Sequence, residues 1–206
     1  MATTLRQGTA ADLDGVVAVF LDCWRTSYAT VLPARVRDSM TEASARELWR
    51  TAFARASDST VLVAVEGTVE VDTAVASSTP GSPAGAVLGV ARWSQQVGST
   101  RGDVHSLYVS PRAQGRGLGT VLLDAAVARL AASGAEVARL WVFESNRASL
   151  DFYRSRGFAF DGRRRTEAAY GVSELGLSLP ITQRAPATAE VASARTTKAG
   201  TAEAGT

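Results

Sequence analysis

Apolar positions along the chain follow two periods. Leu13, Val16, Val17, Phe20 and Trp24 recur at the 3.6-residue spacing of an amphipathic helix. Thr9 and Asp12, a hydroxyl with a carboxylate three residues later, mark its start as a capping box. Pro33 ends or interrupts whatever continues past Tyr28. A second helix is predicted from Ser39 or Thr41 as cap and from Ala45, Leu48, Trp49 and Ala52 on one face. Leu118, Val121, Leu122, Ala125, Ala126 and Leu130 predict a third, ending at Gly134, where a left-handed C-cap suits glycine. A fourth, short helix over 146–156 is closed by Gly157. β-branched and apolar runs at 61–65, 87–93, 104–109, 138–143, 158–160 and 175–179, with a short first strand at Leu5 and Arg6, read as strands. The order β-α-α-β-β-β-α-β-α-β-β predicts an α/β fold whose sheet has adjacent antiparallel hairpins and at least one parallel crossover. Trp49 and Trp141 are assigned to its core.

Two stretches fall outside this pattern. The connection near 68–86 contains Pro80, Gly81, Pro83 and Gly85 among serines and is expected to be a mobile loop. Beyond Pro180 the chain turns to Ala, Thr, Gly, Glu and Arg, which cannot bury enough surface to offset the entropy of ordering. One domain over 1–183 and a disordered Ala/Thr-rich tail over 184–206 are therefore expected, and the length of 206 residues agrees with one domain plus spare chain.

Composition narrows the classes. Apolar residues at 46 % and charged residues at 20 % are those of an ordinary soluble protein, and no apolar run approaches the roughly 20 residues that span a bilayer. The start lacks a secretory apolar region, so a cytoplasmic protein without a membrane partner is expected. Cys23, the single cysteine, excludes an intramolecular disulfide and a cysteine-based zinc site. The basic side is almost wholly arginine, scattered among Asp and Glu rather than gathered on one face, so nucleic acid is not the expected partner.

The chemically informative segment runs from the strand ending at Val109 through Gln114, Gly115, Arg116, Gly117, Leu118, Gly119 and Thr120 into a helix. Alternating glycines let the backbone approach a ligand and adopt positive φ, while the helix start offers unpaired N–H groups and the positive end of its dipole. That combination suits a pyrophosphate, with Arg112 and Arg116 as further point charges. The dinucleotide fingerprint G-x-G-x-x-G is not matched, and a Walker lysine is absent.

These residues carry a resemblance. Gln114 to Gly119 resembles the Q/R-x-x-G-x-G/A signature of the GNAT N-acetyltransferase superfamily, and Asn146, Ala148, Phe152, Tyr153, Gly157 and Phe158 are similar to its second segment, N-x-A-x-x-x-(F/Y)-Y-x-x-x-G-F. The order of elements from about residue 3 to 179 is also similar. The resemblance implies a mixed, mostly antiparallel sheet of six to seven strands flanked by about four helices. It implies transfer of the acetyl group of acetyl-CoA directly to a primary amine of a small molecule or protein, with no metal, and a homodimer as in many members. A non-catalytic acyl-CoA-binding or sensing module is the alternative.

By the same resemblance, the backbone of Gln114, Gly115, Arg116, Gly117, Leu118, Gly119 and Thr120 holds the pyrophosphate, and the backbone of Leu107 and Val109 pairs with the pantetheine. Asn146 stands where the family has an asparagine near the pantetheine, and it is equally placed to cap its helix. Tyr153 stands where members hold a hydroxyl near the thioester sulfur, able to protonate a departing thiolate. Asp103 matches an acidic position of the family, usually Glu, and a period of two puts His105, the only histidine, on the same face. Either could accept the amine's proton, and a strand histidine also needs no catalytic explanation. Trp24, Tyr28, Leu32 and Pro33 resemble a W-x-x-x-Y-x-x-x-L-P run in some small bacterial members, on the acceptor side. Tyr28 is the pocket candidate there, joined by Trp93; Trp24 also falls on the apolar face of its helix, which packing alone explains.

Overall fold

A computed structural model describes residues 3–54, 60–67 and 85–181. The strands are β1 (Thr3–Gln7), β2 (Thr60–Glu66), β3 (Val87–Gln95), β4 (Arg101–Val109), β5 (Val137–Phe143), β6 (Ala159–Glu167) and β7 (Val172–Pro180). The helices are α1 (Leu13–Arg25), α2 (Ala34–Ser39), α3 (Glu42–Ala54), α4 (Leu118–Ala132) and α5 (Arg147–Ser155). All the strands join one sheet in the order β1-β2-β3-β4-β5-β7-β6. Each pairing is antiparallel except β4 with β5, which α4 connects as a crossover. The expected tail and most of the expected loop near 68–86 lie outside the described residues.

Helices cover both faces of β2, and its sequence shows why it reads apolar throughout. Val61, Val63 and Val65 pack with Phe20, Trp24 and Trp49 of α1 and α3. Leu62 and Ala64 face the other way, with Leu122, Leu130 and Leu150 of α4 and α5. The α1 start is secured as its residue spacing predicts: the Thr9 N–H donates to Asp12 Oδ2 at 2.8 Å. Asp12 is 2 % exposed and also accepts from both terminal nitrogens of Arg6, at 2.6 and 2.8 Å. Gly134 and Gly157, just past the ends of α4 and α5, adopt φ of 86° and 87°.

Four features differ from the sequence expectation. Pro33 opens the extra six-residue helix α2 as its cap rather than simply closing what precedes it. Strand β6 continues through Asp161, Gly162 and three arginines to Glu167, a polar run without alternation. It is an edge strand, where charged side chains are tolerated and discourage further pairing. Trp141 is not core: it sits on the sheet face under two guanidinium groups, Arg163 at 4.8 Å and Arg165 at 4.4 Å from its ring centroid. Leu48 and Val121, placed on buried faces by spacing, are 43 % and 49 % exposed.

Candidate active site

The site arises where β4 and β5 separate. They pair only over Arg101–Val104 against Val137–Leu140; from there β4 runs on to Val109 and β5 to Phe143 with no ladder between them. A β-bulge lies at the same level, because Trp93 pairs with Val104 and Arg92 with Ser106, leaving His105 as the extra residue. Before the bulge Val104 faces α4; after it Leu107 and Val109 do, and Tyr108 is turned to the α1 side against Phe20 at 5.2 Å. The Val109 carbonyl points away from β3, accepting from Gln114 Nε2 at 3.0 Å and Cys23 Sγ at 3.1 Å. The two-residue period turns the backbone groups of Leu107 the same way, toward the space β5 has left.

That space is a cavity of about 310 Å³. Among the expected site residues, Leu107, Val109, Gln114, Gly119, Asn146, Tyr28 and Tyr153 line it. So do Tyr108, Cys23, Ser27, Ser149 and Phe152. The Asn146 Oδ1 accepts from the Ser149 N–H at 3.1 Å, so this residue caps α5 and borders the cavity at once. Cys23 and Ser27 stand four residues apart at the end of α1 and the turn beyond it, a spacing that could have picked them out beside Tyr28. The Tyr108 position could not be read without the bulge.

The turn entering α4 forms the cavity's neighbour. Gly115 and Gly117 have φ of 75° and 78°, and a Cβ placed on either would meet no atom within 4 Å, so both face open space. From Gly115 to Thr120 the backbone N–H groups have no backbone acceptor among the described residues. Arg112 and Arg116 are exposed beside them. Leu118 is buried in the α4 core and anchors the turn. Pyrophosphate fits this cradle on three counts: donors, room and positive charge.

Burial dominates the electrostatics. The phenols of Tyr28, Tyr108 and Tyr153 are all raised above the ordinary tyrosine value by burial, and the Tyr28 and Tyr108 rings meet edge-on at 6.3 Å. Burial also pushes the Cys23 thiol up to about 11, so it stays protonated near neutrality. Among the described residues, no group of three or more His, Cys, Asp or Glu side chains is placed to hold a metal ion.

The remaining expected residues lie elsewhere. Asp103 is about 13 Å along β4 from Leu107, four residues at the strand rise, and is paired with Arg139 at 3.0 Å. His105 meets Ser94 Oγ at 2.6 Å; Ser94 is the cross-strand partner of Asp103, so the two do share a face. Partial burial and then Arg92 lower the His105 pKa against an opposing pull from Asp103. Neither borders the cavity. Trp24 is 2 % exposed, donates to the Arg37 carbonyl at 3.2 Å and backs Tyr28 at 5.7 Å instead of reaching the cavity. Trp93 is buried on the opposite, α4 face beneath Arg129 and does not join Tyr28.

A sheet opened between two parallel strands, beside a glycine-lined anion cradle, is the frame of an acyl-CoA N-acetyltransferase. The chain belongs to the acetyltransferase (GNAT) family, whose family model matches residues 24–158. The L-methionine sulfoximine/L-methionine sulfone acetyltransferase of Pseudomonas paraeruginosa is 29 % identical over 166 residues, 79 % of this chain and 84 % of that protein. A mycothiol acetyltransferase of Gordonia bronchialis is 40 % identical, but the match spans only 40 % of this chain and 26 % of the relative. In fold, the PaiA N-acetyltransferase of Thermoplasma acidophilum, solved with coenzyme A, aligns with a TM-score of 0.68 at 17 % identity over 87 % of this chain and 99 % of that one. The ribosomal-protein-S18-alanine N-acetyltransferase of Escherichia coli aligns at 0.60 and 17 % identity, over 90 % and 98 %. The family supports acetyl-CoA as donor.

Proposed function

We propose that the enzyme transfers the acetyl group to a primary amine of a small molecule by direct attack, with Tyr153 protonating the leaving group. The observation that carries this reading is the cavity between the separated strands, which gathers Leu107, Val109, Asn146 and Tyr153 around one space. The turn over 114–120 would hold the pyrophosphate, and the outward backbone of Leu107 and Val109 would pair with the pantetheine. The neutral amine nitrogen attacks the acetyl carbon, the carbon–sulfur bond breaks, and the departing sulfur takes a proton while the nitrogen loses one. Tyr153 supplies the first proton and regains one from the water that takes up the second. Among the described residues no carboxylate or imidazole borders the cavity, so the second leaves through water, with His105 and Asp103 as recipients reached by that route. Tyr28 lies on the acceptor side. The relative named for methionine sulfoximine and methionine sulfone, matched over most of both chains, supports a small acceptor. The test is release of free thiol from acetyl-CoA with a broad panel of amines, peptides included, and mass detection of the acetylated product. Acetyl-CoA binding without turnover of any amine would return the chain to an acyl-CoA-binding module.

A further inference from the structure

Beside the donor cavity lies a second cleft, of about 590 Å³. Two segments wall both spaces, residues 27–33 and 144–149, and they are tied together by Ser145 Oγ donating to the Val31 carbonyl at 3.2 Å. The cleft therefore opens next to Tyr28 and Asn146, on the acceptor side of the proposed reaction. Its apolar wall is Val31, Leu32, Pro33 and Val172. Among the described residues two charged side chains line it, Glu144 and Arg147. The Glu144 carboxylate is engaged by Arg164 at 2.7 Å. Arg147 is exposed, and its guanidinium makes no hydrogen bond or ion pair among the described residues; Asp151, one helical turn on, is paired with Arg154 instead. The cleft thus presents one uncommitted planar cation above an apolar floor. A guanidinium fork matches a carboxylate in geometry and charge, and an apolar wall of this size suits a branched or aromatic substituent.

Building on the proposed acetyl transfer, we infer that the acceptor is a small amine that also carries a carboxylate and an apolar side chain, and that Arg147 binds the carboxylate. Glu144, held by Arg164, keeps the cleft from being doubly positive without competing for Arg147. Amines lacking the acid would enter the same cleft and be acetylated, but less efficiently.

The experiment compares kcat/KM at saturating acetyl-CoA for leucine, leucinamide and 3-methylbutylamine, and for phenylalanine, phenylalaninamide and 2-phenylethylamine. Wild type should favour each acid over its amide tenfold or more. In Arg147→Ala that ratio should fall to within about twofold of one, through KM for the acids, and Arg147→Lys should restore part of it. Calorimetric binding of N-acetylleucine in the presence of coenzyme A reads the same contact without turnover and should be lost in Arg147→Ala. Equal use of acids and amides by wild type, an unchanged ratio in Arg147→Ala, or turnover of other amines but none of these six would overturn the inference and leave acetyl transfer standing. No turnover of any amine would overturn the reading beneath it.

Discussion

Tyr153 stands on α5 with its ring edge-on to Phe152 at 5.2 Å and Phe158 at 5.8 Å. Removing only the hydroxyl preserves that packing. Tyr153→Phe should bind acetyl-CoA as wild type does and lose about 10²-fold in turnover, the scale of a positioned acid; calorimetry and single-turnover rates check the two halves. Because burial raises the phenol's pKa, the acid form persists as pH rises, so any alkaline loss of wild-type activity should come from another group. Gly117 makes the opposite kind of prediction. Its φ of 78° disfavours any Cβ, and the space a Cβ would enter is the cradle itself. Gly117→Val should abolish acetyl-CoA binding in calorimetry while the folded circular dichroism spectrum is retained. At this scale the sequence was legible where a motif fixes the backbone: Gly115 and Gly117 adopt the positive φ expected of their turn, and Asn146 caps α5. It was not legible where a side chain's direction depends on a cross-strand register. Tyr108 reaches the cavity only because His105 is bulged out, and Trp93 turns to the α4 face.

Among elements, the entry to α1 rests on one buried carboxylate. Burial opposes ionisation of Asp12, yet the Arg6 fork and the Thr9 N–H outweigh it and hold the carboxyl below the usual range. Asp12→Ala would strand Arg6 and the Thr9 N–H. A fully buried broken pair costs roughly 3–5 kcal/mol, and with Arg6 a third exposed about 2 kcal/mol is expected here. The folded pKa is lowered, so the stabilisation is present above the unfolded value of about 4 and is lost as pH falls through the folded one. The difference in melting temperature between wild type and Asp12→Ala should be full at pH 7 and should narrow below pH 4. Most helices and strands could be read from period and caps, as Thr9 with Asp12 and Gly134 illustrate. Strand β6 could not, since an exposed edge needs no apolar alternation. Trp141 was misread for a related reason: on that face its cover is arginine rather than a helix.

For the whole molecule, the sheet is two blocks meeting along a short seam. The ladder between β1–β4 and β5–β7–β6 is four residue pairs long, whereas β5 and β7 share seven. A donor bound between β4 and β5 would bridge the blocks. At a hundredfold excess over Kd it would add about 2.7 kcal/mol to stability, or roughly 5–10 °C in melting temperature for a domain of this size. Thermal unfolding with and without acetyl-CoA measures this, and Gly117→Val should show no rise. The seam has a consequence for the protein's lifetime. With a small molecule in the place of a strand contact, the interval the chain survives between folding and proteolysis would lengthen when acetyl-CoA is plentiful and shorten when it is drawn down, so that the enzyme's abundance would follow the supply of its own donor.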